Sequence, residues 1–461
     1  MNMRTVWACV VICAVSLLLA GTASAQWSSP TSIGVVEGGP TPGVIPNVST
    51  ARCGNSVVVG FADMESNVNN SFDGYAVSSD GGMTFRDLGL LPASTANPGF
   101  GPDVLTAQVS LACASPQLFY YASTFFPDQP AGNFLCNPLC TAVSVSISTN
   151  GGVTWGLPVT AASNFFDTHF ISAPSIAVDP TSLPRIYVAY LDTNDVPPFD
   201  FSFPECDIAG GATELRLARS VDSGKTWTIG VIDHACGLST DSESEGVLES
   251  PNVVISPGGK VYIAYEFHPF GGLAIPGQNE IRFTRSVNQG QMFSTPFVVS
   301  KDAIDNAKPQ LAVDRTTSSF RGAIYLTWAG MPRGTTTEVL LSDSLNQGVS
   351  FSFPRSVRST SVGTQVNPVV AVDNDGQVAA CYYVTGTNTP TSSSNYFYNC
   401  LTSFNHAATW ASYQKLATLA PPGLDALTSD FLLTNDGFFT AFETQNSSGQ
   451  NRVVGSRSDN P

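Results

Sequence analysis

Carboxylates recur at one kind of place along this chain. Asp103, Asp167, Glu249 and Asp305 each stand just ahead of, or at the start of, a short strand-like segment. Two carboxyl groups held about 5 to 9 Å apart can cleave a glycosidic bond, one giving a proton and the other attacking or activating water. These four are therefore the catalytic candidates. The plainer alternative is that they hydrogen-bond neighbouring strands. His169, Lys308 and Gln365 occupy comparable positions and are candidate ligand contacts. As bases, His169 and His268 are discounted; both read as ordinary polar side chains.

Two longer segments add a second kind of chemistry. Asp192, Asp195, Asp200, Glu205 and Asp207 crowd one of them, and Asp241, Glu243, Glu245 and Glu249 the other. Hard oxygen ligands of this type suit calcium, with Asp241, Glu243 and Glu245 as the candidate set. No EF-hand spacing is present, so a solvated acidic surface competes with that reading. No cofactor is required by these residues, and Ca2+ is the one candidate. Phe199, Phe201 and Phe267 lie in or beside the same segments, where flat rings either stack on sugar faces or pack the loops down.

The elements that must position these groups follow from composition and repetition. The chain has 461 residues, with 40 Gly, 31 Pro and only 12% charged residues. Such a composition, rich in Val, Tyr and Phe, points to an all-β protein with many turns. Thirty-six acidic residues against 20 basic ones give a net charge of −16. That excludes nucleic acid as a partner through general electrostatics.

Arg4, an apolar run from Val6 to Ala20 and Ala23-Ser24-Ala25 read as a signal peptide over residues 1–25. Residues 26–461 are then one exported domain, extracellular or periplasmic, with no membrane insertion. Eight of the ten Cys follow the leader, an even set that suits disulfides.

One turn pattern recurs. Ser78-Ser79-Asp80-Gly81-Gly82-Met83-Thr84-Phe85 reads S-x-D-x-G-x-T-aromatic. Further copies centre on Ser148, Asn150 and Gly152; on Ser220, Asp222 and Gly224; and on Ser286, Asn288 and Gly290. Two more centre on Ser344, Asn346 and Gly348, and on Ser403 and Asn405, where Ala407 replaces the glycine. The Asp or Asn accepts backbone N–H bonds inside the turn, and the glycine supplies a positive φ. Each copy follows three strand-like runs and precedes a fourth. Four antiparallel strands repeated about an axis make a β-propeller.

These turns resemble the Asp-box, or BNR repeat, of the sialidase superfamily. The resemblance spans most of residues 26–461 and implies a sialidase-like propeller whose boxes are structural and lie opposite the ligand face. It also implies an arginine triad, a Tyr–Glu nucleophile pair and an Asp acid. None transfers residue by residue. Val44-Ile45-Pro46 lacks the arginine expected before Ile-Pro, and Arg216, Arg219, Arg282 and Arg285 fall on strands leading into boxes.

After the sixth box three strand-like runs remain, and Ser32–Val36 offers the missing fourth. The expectation is seven four-stranded blades closed by pairing of the two chain ends, with six as the alternative. In that frame Cys381–Cys400 joins the second and third strands of one blade and Cys136–Cys140 staples a loop. Cys53–Cys113 and Cys206–Cys236 follow by elimination.

The functional expectation is a monomer that binds a glycan or another extracellular partner, such as a protein, on the channel face. A glycoside hydrolase using the channel-mouth carboxylates is the alternative, and a structural scaffold a third.

Overall fold

The computed structural model describes residues 26–35, 48–63, 72–93, 104–126, 141–163, 169–194, 212–236, 245–269, 279–332, 334, 336–359, 363–387, 394–419, 429–434, 437–445 and 451–459. Among them there is no helix, and every extended sheet is antiparallel.

Successive strands pair with their neighbours in sequence. One sheet holds β3 (Val48–Cys53), β4 (Ser56–Ala62), β5 (Asp73–Ser78) and β6 (Arg86–Leu90). The next holds β7 (Val104–Cys113), β8 (Phe119–Phe126), β9 (Ala142–Ser148) and β10 (Val159–Ser163). It is followed by β11 (His169–Asp179), β12 (Arg185–Asn194), β13 (Ala212–Ser220) and β14 (Thr228–Cys236).

The set β15 (Gly246–Ile255), β16 (Val261–Pro269), β17 (Asn279–Ser286) and β18 (Phe297–Ala303) comes next. It touches β19 (Gln310–Val313), β20 (Ile324–Gly330), β21 (Glu338–Ser344) and β22 (Arg355–Ser356) through one bridge, Ala303 to Gly330. Another sheet contains β23 (Gln365–Val372), β24 (Val378–Thr385), β25 (Tyr396–Ser403) and β26 (Gln414–Leu419).

The last sheet combines β27 (Ser429–Thr434), β28 (Gly437–Gln445) and β29 (Asn451–Asp459) with β1 (Gln26–Trp27) and β2 (Thr31–Val35) from the other end of the chain. Ser32 stands opposite Val454, and Gln26 opposite Asp459.

Burial runs from inside to outside. Second strands such as β4, β16 and β20 are buried on both faces, whereas β6 and much of β14 are exposed. Strands buried on both faces are those sandwiched between neighbouring sheets, which is why they read as continuous apolar runs. First strands lie against first strands: β3 on β7, β7 on β11, β11 on β15, β15 on β19, β19 on β23, β23 on β27, and β27 on β3. The arrangement is a β-propeller.

Side chains stitch these inner strands together. The backbone N–H of Leu111 donates to Ser49 Oγ at 3.0 Å, that of Ile176 to Ser110 Oγ at 3.0 Å and that of Val253 to Ser175 Oγ at 3.0 Å. Leu311 N donates to Asn252 Oδ1 at 2.9 Å and Thr50 N to Asp430 Oδ2 at 2.6 Å. These bonds satisfy backbone donors that face a neighbouring strand edge-on.

The repeated turns have one hydrogen-bond plan. Ser78 Oγ accepts from Gly82 N at 2.9 Å, and Asp80 accepts from the Thr84 N–H at 2.9 Å and hydroxyl at 2.6 Å. Asn150 reproduces the plan by accepting from Thr154 N and donating to Thr154 Oγ1. Gly152 has φ +85°, and a Cβ there would stand 2.3 Å from Val58 Cγ2 on the neighbouring sheet. In the sixth copy Ala407 adopts φ +63° without being glycine.

Disulfides join Cys53 to Cys113, across two sheets, and Cys381 to Cys400, on adjacent strands. Cys236 is also disulfide-bonded. Cys136, Cys140 and Cys206 lie outside the described residues, as does the whole 1–25 leader. No helix among the described residues is long and apolar enough to cross a membrane.

Candidate functional site

The inner strands enclose a cavity of about 360 Å³. Four of its lining residues precede a proline and hold a left-handed backbone: Ala173 (φ 51°), Ser250 (51°), Lys308 (49°) and Asn367 (51°). Such a conformation is uncommon for residues other than glycine, with asparagine the most tolerant of it among these four. In β11, β15 and β23 it coincides with a register shift, between Ser172 and Ser175, Glu249 and Asn252, and Val366 and Val369. The bulge bends each inner strand at the channel mouth and re-aims the residues before it.

In β15 the re-aimed residue is Glu249, which stands opposite Glu266 of β16. Strand side chains alternate, so Glu266 and His268 share a face. The result is a compact cluster at the strand ends away from the repeated turns. His268 Nε2 lies 3.0 Å from Glu266 Oε2 and 3.7 Å from Glu249 Oε2, while Nδ1 lies 3.2 Å from Asp305 Oδ1. Glu266 is fully buried and accepts Ala307 N at 3.0 Å and Lys308 N at 2.6 Å. It thereby fixes the connection that carries Asp305. The side chain of Asp305 is 81% exposed and that of Glu249 40%, so the cluster opens to solvent on their side.

Charge and burial act against each other here. Burial raises the Glu249 pKa; His268 opposes that, and the charges of Glu266 and Asp305 add to it. Burial works against a charge on His268, but the hydrogen bond to Glu266 and the three carboxylates outweigh it and raise its pKa. One ligand atom from each of Glu249, Glu266 and His268 falls within a mutual distance of 4.8 Å, a spacing that could hold a metal ion.

The other candidates are placed differently. His169 is buried at 2% exposure, with Nδ1 2.7 Å from Asp192 Oδ1 and Nε2 3.4 Å from Asn194 Nδ2. Asp192 also pairs with Arg216 at 3.3 Å, and Arg216 with Glu214 at 2.5 Å, making an internal network in β11–β13. Gln365 is buried and ties β21 to β23, accepting Val339 N at 2.9 Å and donating to Arg358 O at 3.0 Å. Phe267 is buried beneath the Arg282 guanidinium, 3.6 Å from its ring centre, rather than lying on an open shelf. Lys308 lines the cavity.

Glu245 is half-buried and bridges to Cys236. Asp103, Asp167, Phe199, Phe201, Asp241 and Glu243 lie outside the described residues.

Thus Glu249 and Asp305, picked out separately, meet around a histidine that sequence reasoning had set aside. Glu266 was missed altogether. Its signal was an acidic residue two before His268 in the otherwise apolar run Val261-Tyr262-Ile263-Ala264-Tyr265.

A second buried carboxylate matches Glu266. β28 reads Ala441-Phe442-Glu443 where β16 reads Ala264-Tyr265-Glu266. Glu443 is 4% exposed, and among the described residues neither of its carboxylate oxygens has a hydrogen-bond partner. Burial drives its pKa well above the usual carboxylate range, with Lys308 opposing.

No family model and no curated protein matches the chain. Among solved structures, a polysaccharide lyase described as an ulvan lyase of a new family superposes with a TM-score of 0.55 at 10% identity. That match covers 93% of this chain and 95% of the lyase. A Hadza microbial sialidase gives 0.47 at 14% identity over 87% and 76% of the two chains. A protein of unknown function from Dyadobacter fermentans gives 0.46 at 13% over 80% and 97%. What the lyase and this chain share is the fold.

Proposed function

We propose that the protein is a secreted β-propeller of seven four-stranded blades that acts on a glycan at its channel face, with Glu249, Glu266, His268 and Asp305 as the working cluster. The blade count is supported by the cyclic contacts of the first strands, ending with β27 on β3, and by the pairing of β1 and β2 with β29. Secretion is supported by the disulfides, which persist in oxidising compartments, together with the leader pattern of residues 1–25.

The observation that carries the reading is a pair of solvent-reaching carboxylates on opposite sides of one imidazole, one of them, Glu249, next in the chain to Ser250, which lines the channel cavity. Across the ring and its two contacts, Glu249 and Asp305 stand at most about 9 Å apart, within reach of the geometry that cleaves glycosides. The fold shared with the ulvan lyase, whose bound form holds a GlcA–Rha3S saccharide, supports including acidic polysaccharides among the substrates tried.

Incubating the protein with a panel of chromogenic glycosides, a sialoside and uronate-containing polysaccharides tests the proposal. At least one should be turned over, with Glu249→Gln and Asp305→Asn each slower by about 10²- to 10⁴-fold. Binding without turnover would leave a glycan receptor. Neither binding nor turnover across the panel would overturn the reading.

A further inference from the structure

We infer that the Glu249–Glu266–His268 cluster is a divalent-cation site facing the channel, with Asp305 orienting the histidine from behind. The inference rests on the channel-face reading and deepens it.

The argument starts from the imidazole. A neutral imidazole has one N–H donor and one lone pair. Both nitrogens of His268 face carboxylate oxygens, Nδ1 toward Asp305 and Nε2 toward Glu266 and Glu249. If Nδ1–H is given to Asp305, the Nε2 lone pair points at two further acceptors. Something positive must lie between them, either a second proton or a cation.

The local charge favours the cation. An imidazolium would carry one positive charge against three carboxylates, and no lysine or arginine among the described residues forms an ion pair with any of the three. Among the described residues the Glu249 carboxylate has no hydrogen bond, and its one polar contact is His268 Nε2 at 3.7 Å. A gap of that length between two potential ligand atoms is one that a bridging ion closes.

The geometry around the gap is also that of a metal site. Three ligand atoms lie within 4.8 Å of one another, supplied by two adjacent strands and so held on rigid elements. Glu266 is locked by Ala307 N and Lys308 N. Asp305 against the far ring nitrogen makes the carboxylate–histidine–metal relay in which the outer carboxylate fixes the tautomer. Two carboxylates and one imidazole favour Zn2+ or Mn2+ over Ca2+, which takes oxygen ligands in larger number. The exposed side of Glu249 leaves further positions for water or a ligand oxygen.

Titrating ZnCl2, MnCl2 and CaCl2 into chelator-stripped, full-length protein by calorimetry tests the site. One Zn2+ or Mn2+ should bind per chain, with no matching signal for Ca2+. Glu249→Gln, a change at a half-exposed position that should fold normally, and His268→Ala should abolish it. Asp305→Asn should weaken it by about 10- to 100-fold. An absence of binding, or unchanged affinity and stoichiometry in Glu249→Gln and His268→Ala, would overturn the site.

The two readings fail separately. Metal that binds while no glycan is bound or turned over keeps the site and removes the glycan reading. Glycan turnover by protein that binds no Zn2+ or Mn2+ in the titration keeps the glycan reading and removes the site.

Discussion

The repeated turns and the channel-face cluster of β15 and β16 are built on opposite plans. In the turns each polar side chain finds its partners two to four residues away, as Asp222 does with Ser220, Lys225 and Thr226. The arrangement recurs six times with Asp and Asn interchangeable. In the cluster Glu266 reaches 41 and 42 residues along the chain to Ala307 and Lys308. Among the described residues nothing equivalent forms at Glu443, the matching carboxylate of β28. Repetition of a self-sufficient motif marks what the fold needs everywhere. Divergence at matched positions marks where one blade does something its neighbours do not.

The largest expected effect probes the long-range side of this contrast. Replacing Glu266 by Ala removes the acceptor of two backbone N–H groups and of His268, leaving those groups without it. Stability should fall by about 2 to 5 kcal/mol, read from urea unfolding at neutral pH.

Glu443 should behave oppositely. Its folded-state pKa is raised, so below the unfolded value both states are neutral and the group costs nothing. As pH rises above that value the unfolded chain ionises first and stability is lost. Glu443→Gln should therefore be more stable than the parent at pH 7, by about 1 to 3 kcal/mol, with the gap closing near pH 4. Equal stability across that window would show that Glu443 has a partner in solution.

Within the turns the test is backbone conformation. Gly152→Ala places a Cβ against Val58 at a positive φ and should cost about 1 to 3 kcal/mol. Ala407→Gly, at the one copy lacking the glycine, should instead be neutral or stabilising by about 1 kcal/mol. A shared sign would break the claim that all six turns follow one plan.

The smallest effect concerns charge. Hydrogen bonds from Thr226 and Ser220 hold the Asp222 carboxyl at about 2, so its contribution is present above the unfolded value and lost as pH falls from about 4 to 2. Asp222→Asn, which copies the Asn150 turn, should keep neutral-pH stability and flatten that acid limb in a thermal scan.

Much of this architecture was legible because it is local. The S-x-D/N-x-G turns, the four-strand rhythm and the Cys381–Cys400 pairing all follow from short-range pattern, and Ser32 does pair with Val454. The site was only half legible. Glu249 and Asp305 could be picked out as carboxylates near inner strands, but the distance between them depends on the bulge at Ser250 and on the β18–β19 connection. Neither has a sequence period. His169 and Gln365 were equally prominent in sequence, yet burial puts both into the fabric of the propeller. Only tertiary packing distinguishes a polar side chain that joins strands from one that meets solvent.

The most direct test of the central claim compares the two faces in one glycan assay. Glu249→Gln and Asp305→Asn on the channel face are set beside Asp222→Asn and Asn346→Asp in the turns, all confirmed folded. Loss of glycan binding or turnover in the first pair, with the second pair unchanged, is the predicted result. Loss in the turn variants with the channel variants unaffected would contradict it.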